Sequence, residues 1–459
     1  MNKKRAIPAN ALSFCFALMA LTVTRVNATP YKLAETRDVA PVASGFRVGF
    51  SLLTTGNLQY VAYYDPQHRM TVAARALDSN EWQFQTLPST VGWDSHNYIT
   101  MAVDRDGQLH VTGNMHASDL VYFRTGQPGK ISTLKQWPMT GRKETRVTYP
   151  KFLTSPDGQL VFCYRDGGSG NGNHIFNVYD PARQAWKRMF DTPLFDGEGE
   201  RSSYPSGPSL GPDGRYHMTW VWRDTPDCST NNHLSYARSR DLIQWESASG
   251  RKVNLPIKLD QKELWVDPVP SQGGIINGGF RLTFDSKNQP LIAYHKTDEK
   301  GHMQIYAARS ESGGWKSHQL TDWDKPVEFC GPGSMEFVGI TIGALSVLKP
   351  GVLTMPYRHK NYGSGHLFVD EQTLRPLEKQ YPVPEELPRG LNKRQSDFKG
   401  MEIRHAQDLG GSDGDKVRYL LQWESLGANR DKRPPEQPPQ PSMLRIHKLV
   451  AETPGNAPP

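Results

Sequence analysis

Two histidines, two tyrosines and two arginines stand at matching distances from three tight-turn signals, and these residue types move protons and neutralise anions. His96 and His116 lie ten residues before and nine after the turn Asp106-Gly107. Tyr149 and Arg165 lie eight before and seven after Asp157-Gly158, and Tyr204 and Arg223 lie nine residues to either side of Asp213-Gly214. A tight turn fixes the register of its hairpin, so residues equidistant from it face each other. The spacing therefore predicts that His96 faces His116, Tyr149 faces Arg165 and Tyr204 faces Arg223, each pair at the open end of its hairpin. Singly, each residue has a packing explanation. Packing gives no reason for titratable groups to share one position in three consecutive hairpins, so the pattern points to one lined concavity. Asn97, Asn114, Ser169 and Asn171 add hydrogen-bonding groups suited to sugar hydroxyls. The Gly-rich run RDGGSGNGN at 165–173 lacks the Lys-Ser/Thr ending of a phosphate loop, which argues against nucleotide binding.

Polysaccharide hydrolysis usually uses two carboxyl groups, one acid and one nucleophile or base. Imidazole, phenol and guanidinium suit β-elimination from a uronate instead. The C5 proton becomes removable once the neighbouring carboxylate is neutralised, and an acid must then protonate the departing O4. Tyr149 could serve both steps if positive charge from Arg165 lowered its pKa from the usual ~10.

The elements that would position these groups are recurrent hairpins, with copies at 98–116, 149–167, 204–224 and 280–296 and a fainter one at 54–65. Further strand-like runs follow and close on Trp82, Trp186, Trp245 and Trp315, and two degenerate units come after them. Turns near 57, 107, 158, 214, 289, 350 and 417 give seven units of about four short strands, as an all-β, seven-bladed β-propeller requires. Each small sheet is apolar on both faces and must stack on its neighbours. A pair of β-sandwiches is the rival, but the chain has no linker or composition shift before the Pro-rich stretch at 433–441; the run MLRIHKLV after it is a candidate ring-closing strand.

Residues 1–28 have a basic start, an apolar run from Ala11 to Val23 and the small-residue pattern Val26-Asn27-Ala28, the layout of a secretory signal peptide cleaved after Ala28. The expected organisation is a signal at 1–28, one domain at 29–450 and a disordered tail at 451–459, with the mature protein extracellular or periplasmic. The formal charge of +7 includes Lys3, Lys4, Arg5 and Arg25, so the mature chain carries about +3, too little for nonspecific nucleic-acid binding. No later stretch could span a membrane. Of the remaining cysteines, Cys163 lies in an apolar run and reads as a buried thiol. Cys228 and Cys330 could pair or, with His233, ligate zinc.

The elements DSHN (94–97), GNMH (113–116), YPKF (149–152), YRDGGSGNG (164–172) and SSYPSGP (202–208) resemble the BNR-repeat propellers that include ulvan lyases, most closely polysaccharide lyase family 25. The resemblance continues through 230–239, 273–285 and 294–323 and covers most of the chain from about 90 to 370. It implies a seven-bladed propeller acting on ulvan, the sulfated rhamnose and uronate polymer of green algae. By that resemblance Tyr149 is the general base and acid, His96 and His116 assist at the uronate carboxylate or share the proton transfers, Arg165 binds or neutralises the carboxylate, and Tyr204 contacts substrate. It also implies a structural metal, zinc in the nearest subgroup or else calcium, with Cys228, His233 and Cys330 as candidate ligands and no cofactor for catalysis. The expected partner is the acidic polymer, met by a monomer. Two other functions remain in play. A sialidase-like hydrolase and a non-catalytic glycan-binding propeller would both use the same architecture; Ser239-x-Asp241 before Trp245 resembles a degenerate Asp-box, but it lacks the box's glycine and is one residue short, so it indicates turn geometry rather than activity.

Overall fold

In the computed structural model the described residues are 31–452, apart from 313, 386, 411–415 and 435–436. They form strands joined by turns and a few short 3₁₀ segments. No helix among them is long and apolar enough to cross a membrane. The expected signal peptide and nearly all of the expected tail lie outside the described residues.

The architecture is all-β, built from antiparallel units that follow one another along the chain. Ser51–Thr55, Leu58–Tyr64, Arg69–Ala76 and Gln83–Thr90 form the first four-stranded sheet in simple up-and-down order. Thr100–Val103, Leu109–Thr112, Tyr122–Thr125 and Leu134–Gln136 form the second. The next two hairpin units belong to one ten-stranded sheet, joined at its middle by the single parallel pair Gly172 and Ser202. Phe280–Phe284 to Gly314–Gln319 and Ile340–Ile342 to Gly363–Asp370 supply two more four-stranded sheets. In the last sheet Ser442–Ala451, which contains the MLRIHKLV run, pairs antiparallel with Tyr31–Val42, so the two ends of the described chain meet in one sheet.

The tight turns fall where the sequence puts them, with Gly107, Gly158 and Gly214 at positive φ. The seventh differs: position 417 begins the strand Val417–Ser425, which pairs antiparallel with Glu402–Gln407. The strand ending at Ala451 also runs one residue into the expected tail.

Apolar side chains on both faces of each sheet bury against the neighbouring sheets. Val61 and Val72 of the first sheet share a core with Leu421 and Ile446 of the last, Tyr122 of the second packs with Phe162 of the third unit, and Val221 of the fourth packs with Ile292 of the fifth. Burying each such side chain contributes roughly 1.5–3 kcal/mol, which a lone two-faced sheet would forfeit. Two histidines inside this core are structural. His110 bridges Asp104 Oδ2 (3.1 Å) and the Tyr122 hydroxyl (2.7 Å), and His217 bridges Asp213 Oδ1 (2.8 Å) and the Tyr236 hydroxyl (2.6 Å).

Candidate active site

His96 lies in the loop before the strand Thr100–Val103, and His116 begins the strand His116–Ser118. Thr100 pairs with Thr112, so the hairpin register carries the two histidines to the same level at its open end. Their rings stack with centroids 4.0 Å apart. Asp94 explains why two imidazoles tolerate this: one carboxylate oxygen accepts from His96 Nδ1 at 2.8 Å and the other from His116 Nδ1. Asp431, from the loop before the last strand, approaches His96 Nδ1 at 3.4 Å and accepts from the backbone N–H groups of Ser334 (3.1 Å) and Ser95 (3.3 Å).

Tyr149 and Arg165 meet, though not by the predicted pairing. The strand partner of Arg165 is Thr148, because a β-bulge between Thr148 and Lys151 leaves Tyr149 unpaired with φ 57°. The bulge turns the phenol inward, and the Arg165 guanidinium carbon lies 4.9 Å from its ring centroid. Likewise Tyr204 pairs with Val221 and Arg223 with Ser202: the turn is centred on Asp213, with Leu210 opposite Tyr216, and a bulge between Ser206 and Ser209 shifts the register by one residue more. Both arginines still reach the Tyr204 ring, at 5.6 Å and 5.3 Å. Arg165 is buried. Its Nη1 donates to the Tyr204 hydroxyl (3.1 Å) and its Nη2 to Thr148 Oγ1 (3.2 Å), so both arms of its fork already have partners. Ser169 Oγ lies 2.6 Å from the Tyr204 hydroxyl at the tip of the hairpin Leu160–Gly168 and Asn171–Asp180. That tip requires Gly167: its φ is 120°, and a Cβ there would come within 2.4 Å of the Asn171 carbonyl oxygen.

His96, His116, Tyr149, Arg165, Ser169 and Tyr204 line one cavity of about 390 Å³, walled also by Arg47, Arg223, Cys228, Asn277 and Ser334. Its electrostatics differ from the expectation for Tyr149. Burial and the neighbouring Tyr204 push its hydroxyl up, and Arg165 and Arg223 only partly offset them, so the phenol rests protonated. Burial also works against charge on His96, but the hydrogen bonds and charges of Asp431 and Asp94 outweigh it and raise His96 to about 9. Burial would raise Asp94, yet the hydrogen bonds from His116 and His96 hold it well below the usual carboxylate range. Asp431 is lowered in the same way by His96.

The remaining predicted residues separate into lining and support. Tyr204 and Ser169 line the cavity, whereas Asn97 and Asn114 do not. Asn97 holds its loop through its carbonyl, which accepts from the Tyr64 hydroxyl at 2.6 Å, and Asn114 Nδ2 donates to Ser89 Oγ and the Thr90 carbonyl. Cys163 is buried and free, as expected. Cys228 lines the cavity and Cys330 is exposed; the two are not bonded. His233 turns away to Asn232 Oδ1 (2.8 Å) and the Trp265 ring. These three donors do not converge and do not fit a zinc ion. Among the described residues the one set of three or more such side chains whose ligand atoms all lie within 4.8 Å is Asp94, His96, His116 and Asp431. The degenerate Asp-box is a turn: Asp241 Oδ1 accepts from the N–H groups of Ile243 and Gln244 and from Ser239 Oγ.

Residues 58–323, more than half of the chain, match the model of the BNR repeat-containing family. The chain belongs to that family. A curated relative, the long isoform of ulvan lyase from Glaciecola sp. (strain KUL10), is 49% identical over 21% of this chain and 14% of its own length. The short isoform from Alteromonas sp. (strain LOR) is 44% identical over 12% of this chain and 11% of its own. The matches thus span about a seventh or less of those relatives. Among solved structures, the polysaccharide lyase Uly1 superposes with a TM-score of 0.62 at 15% identity, covering 92% of this chain and 100% of that one. A PL25 ulvan lyase gives 0.55 at 12% identity, covering 91% and 96%, and has also been solved with -[GlcA(1-4)Rha3S]- bound. At these identities the likeness shows a shared fold.

In this BNR-repeat chain the sequence reading missed two site residues. Asp94 stood in the DSHN element, two residues before His96, a spacing that lets a carboxylate accept from both the backbone and the ring of the histidine. Asp431 carried no signal, because it lies 335 residues beyond His96 in a loop outside the recurrent hairpins.

Proposed function

We propose that this chain is a secreted, monomeric polysaccharide lyase that cleaves ulvan by β-elimination at the uronate, on seven four-stranded units closed as a seven-bladed propeller. The relatives' names supply the substrate. The observation that carries the chemistry is the pair of imidazoles tied to one carboxylate beside a protonated phenol.

Each group has one task. The His96 imidazolium, backed by Asp94 and Asp431, neutralises the uronate carboxylate and makes the C5 proton acidic. His116 Nδ1 donates to Asp94, which leaves Nε2 as the atom that accepts the C5 proton. The C5–H electrons form the C4–C5 double bond, the C4–O4 bond breaks, and the Tyr149 hydroxyl delivers its proton to O4. Arg165 and Arg223 then stabilise the phenolate until it is reprotonated by His116 or water. The hydrolase alternative needs a protonated carboxyl group, but both carboxylates beside the histidines are held ionised by them.

Incubation with ulvan should give products with the ultraviolet absorbance of an unsaturated uronate. Tyr149→Phe should lose turnover by at least about 10²-fold while keeping its melting temperature, since one hydroxyl is removed from a cavity wall. New reducing ends without that absorbance would point to hydrolysis, and retention without cleavage to a lectin.

A further inference from the structure

The chain leaves the second sheet at Gln136 and enters the site at Val147 through a loop that the proposed chemistry does not use. That loop carries Arg142, Lys143 and Arg146, all exposed. Its backbone is held in place. The Glu144 carboxylate accepts from the N–H groups of Met139, Thr140 and Gly141 and from Thr140 Oγ1, the Tyr164 hydroxyl donates to the Lys143 carbonyl at 2.9 Å, and the Arg188 guanidinium donates to the Arg142 carbonyl.

The cations on this rigid loop are mostly free. Lys143 has Asp166 at 3.6 Å, whereas Arg142 and Arg146 have no carboxylate within ion-pair distance among the described residues. Arg146 packs on the hairpin tip that carries the cavity residue Ser169. Its carbonyl accepts from Gly167 N–H, and its Nη2 lies 3.1 Å from where a Cβ of Gly168 would stand, so the guanidinium lies against the residue next to Ser169. Beyond the cations the loop begins at the exposed Trp137, whose ring has the Arg124 guanidinium 5.0 Å from its centroid. Two unpaired guanidinium groups on a loop with a held backbone, one of them beside a site for an acidic sugar, match the sulfate and carboxylate groups of a chain continuing past that site.

We propose that the 137–146 loop is an extended binding strip for the anionic groups of the polymer outside the cleavage cavity, with Arg146 nearest the cavity and Arg142 farther along. This rests on the reading of the cavity as an acidic-glycan site. Affinity electrophoresis in gels containing ulvan tests it without turnover, comparing the unaltered protein with Arg142→Gln/Arg146→Gln. Each lost exposed charge pair should weaken retention about twofold to fivefold, so the double variant should bind about tenfold more weakly, with a shallower dependence on salt. Arg142→Lys/Arg146→Lys should recover most of the retention. Desulfated, carboxyl-reduced ulvan should retain all three proteins equally. On ulvan, KM should rise with kcat unchanged. Equal retention of the unaltered protein and the glutamine variant by native ulvan would overturn the strip, whatever the reaction. Weakened retention without any unsaturated product would leave the strip standing and refute the lyase reading instead.

Discussion

Asp431→Asn is the most informative single substitution, because it changes one charge at the edge of the site at nearly constant shape and leaves an amide oxygen that can still accept from Ser334, the shorter of the two backbone contacts. His96 sits at about 9 instead of its ordinary 6.5, and Asp431 is the larger of the two influences that raise it. Removing that carboxylate's charge should bring His96 down by about one pH unit, a cost of roughly 1.4 kcal/mol to the imidazolium. The sign follows from the raised value: the imidazolium is present below its pKa and lost as pH rises through it. Ulvan cleavage by the unaltered protein should therefore fall on the alkaline side near pH 9, and that limb should move to about pH 8 or below in the variant. At pH 8.5 the protonated fraction falls about threefold, whereas at pH 6 both proteins should turn over at similar rates. Initial rates of ultraviolet absorbance between pH 6 and 10 give both profiles. Coincident alkaline limbs, or an equal loss at every pH, would refute the assignment of His96 as the cation that meets the carboxylate.

Two further predictions concern the metal and the hairpin tip. A strong chelator should leave the initial rate unchanged, since imidazole, phenol and guanidinium complete the proposed chemistry; immediate loss of activity in still-folded protein, restored by added metal, would instead make Asp94, His96, His116 and Asp431 ligands. Gly167→Ala should destabilise the fold by about 1–3 kcal/mol, because it strains a φ of 120° and crowds the Asn171 carbonyl, and it should lower activity by displacing Ser169; an unchanged melting temperature would count against that account of the tip.

How far the sequence reaches depends on how regular the backbone is. The Asp106-Gly107 hairpin pairs without a break near the turn, so counting from it brings His96 to His116. The same counting misplaces Tyr149, because its strand carries a bulge, and Tyr204, because a bulge adds one residue to the offset of a turn centred on Asp213. The intended contacts survive since arginine and tyrosine are long enough to bridge the offset. Residue type and proximity point to Asn97 and Asn114, but the Asn114 amide is spent on loop geometry and Asn97 holds its loop through its backbone carbonyl, outside the cavity lining. The pKa of Tyr149 departs from the sequence expectation for a related reason. Sequence places a cation beside the phenol but cannot weigh it against burial, and burial wins. The cysteines and His233 offered suitable atoms at a separation that only the fold could test.

The central claim is that neutralising a uronate carboxylate enables elimination, and the direct test compares native ulvan with carboxyl-reduced ulvan under identical conditions. The account predicts ultraviolet-absorbing unsaturated products from the native polymer and none from the reduced one, even where the reduced polymer still binds. Equal cleavage of the two would contradict it.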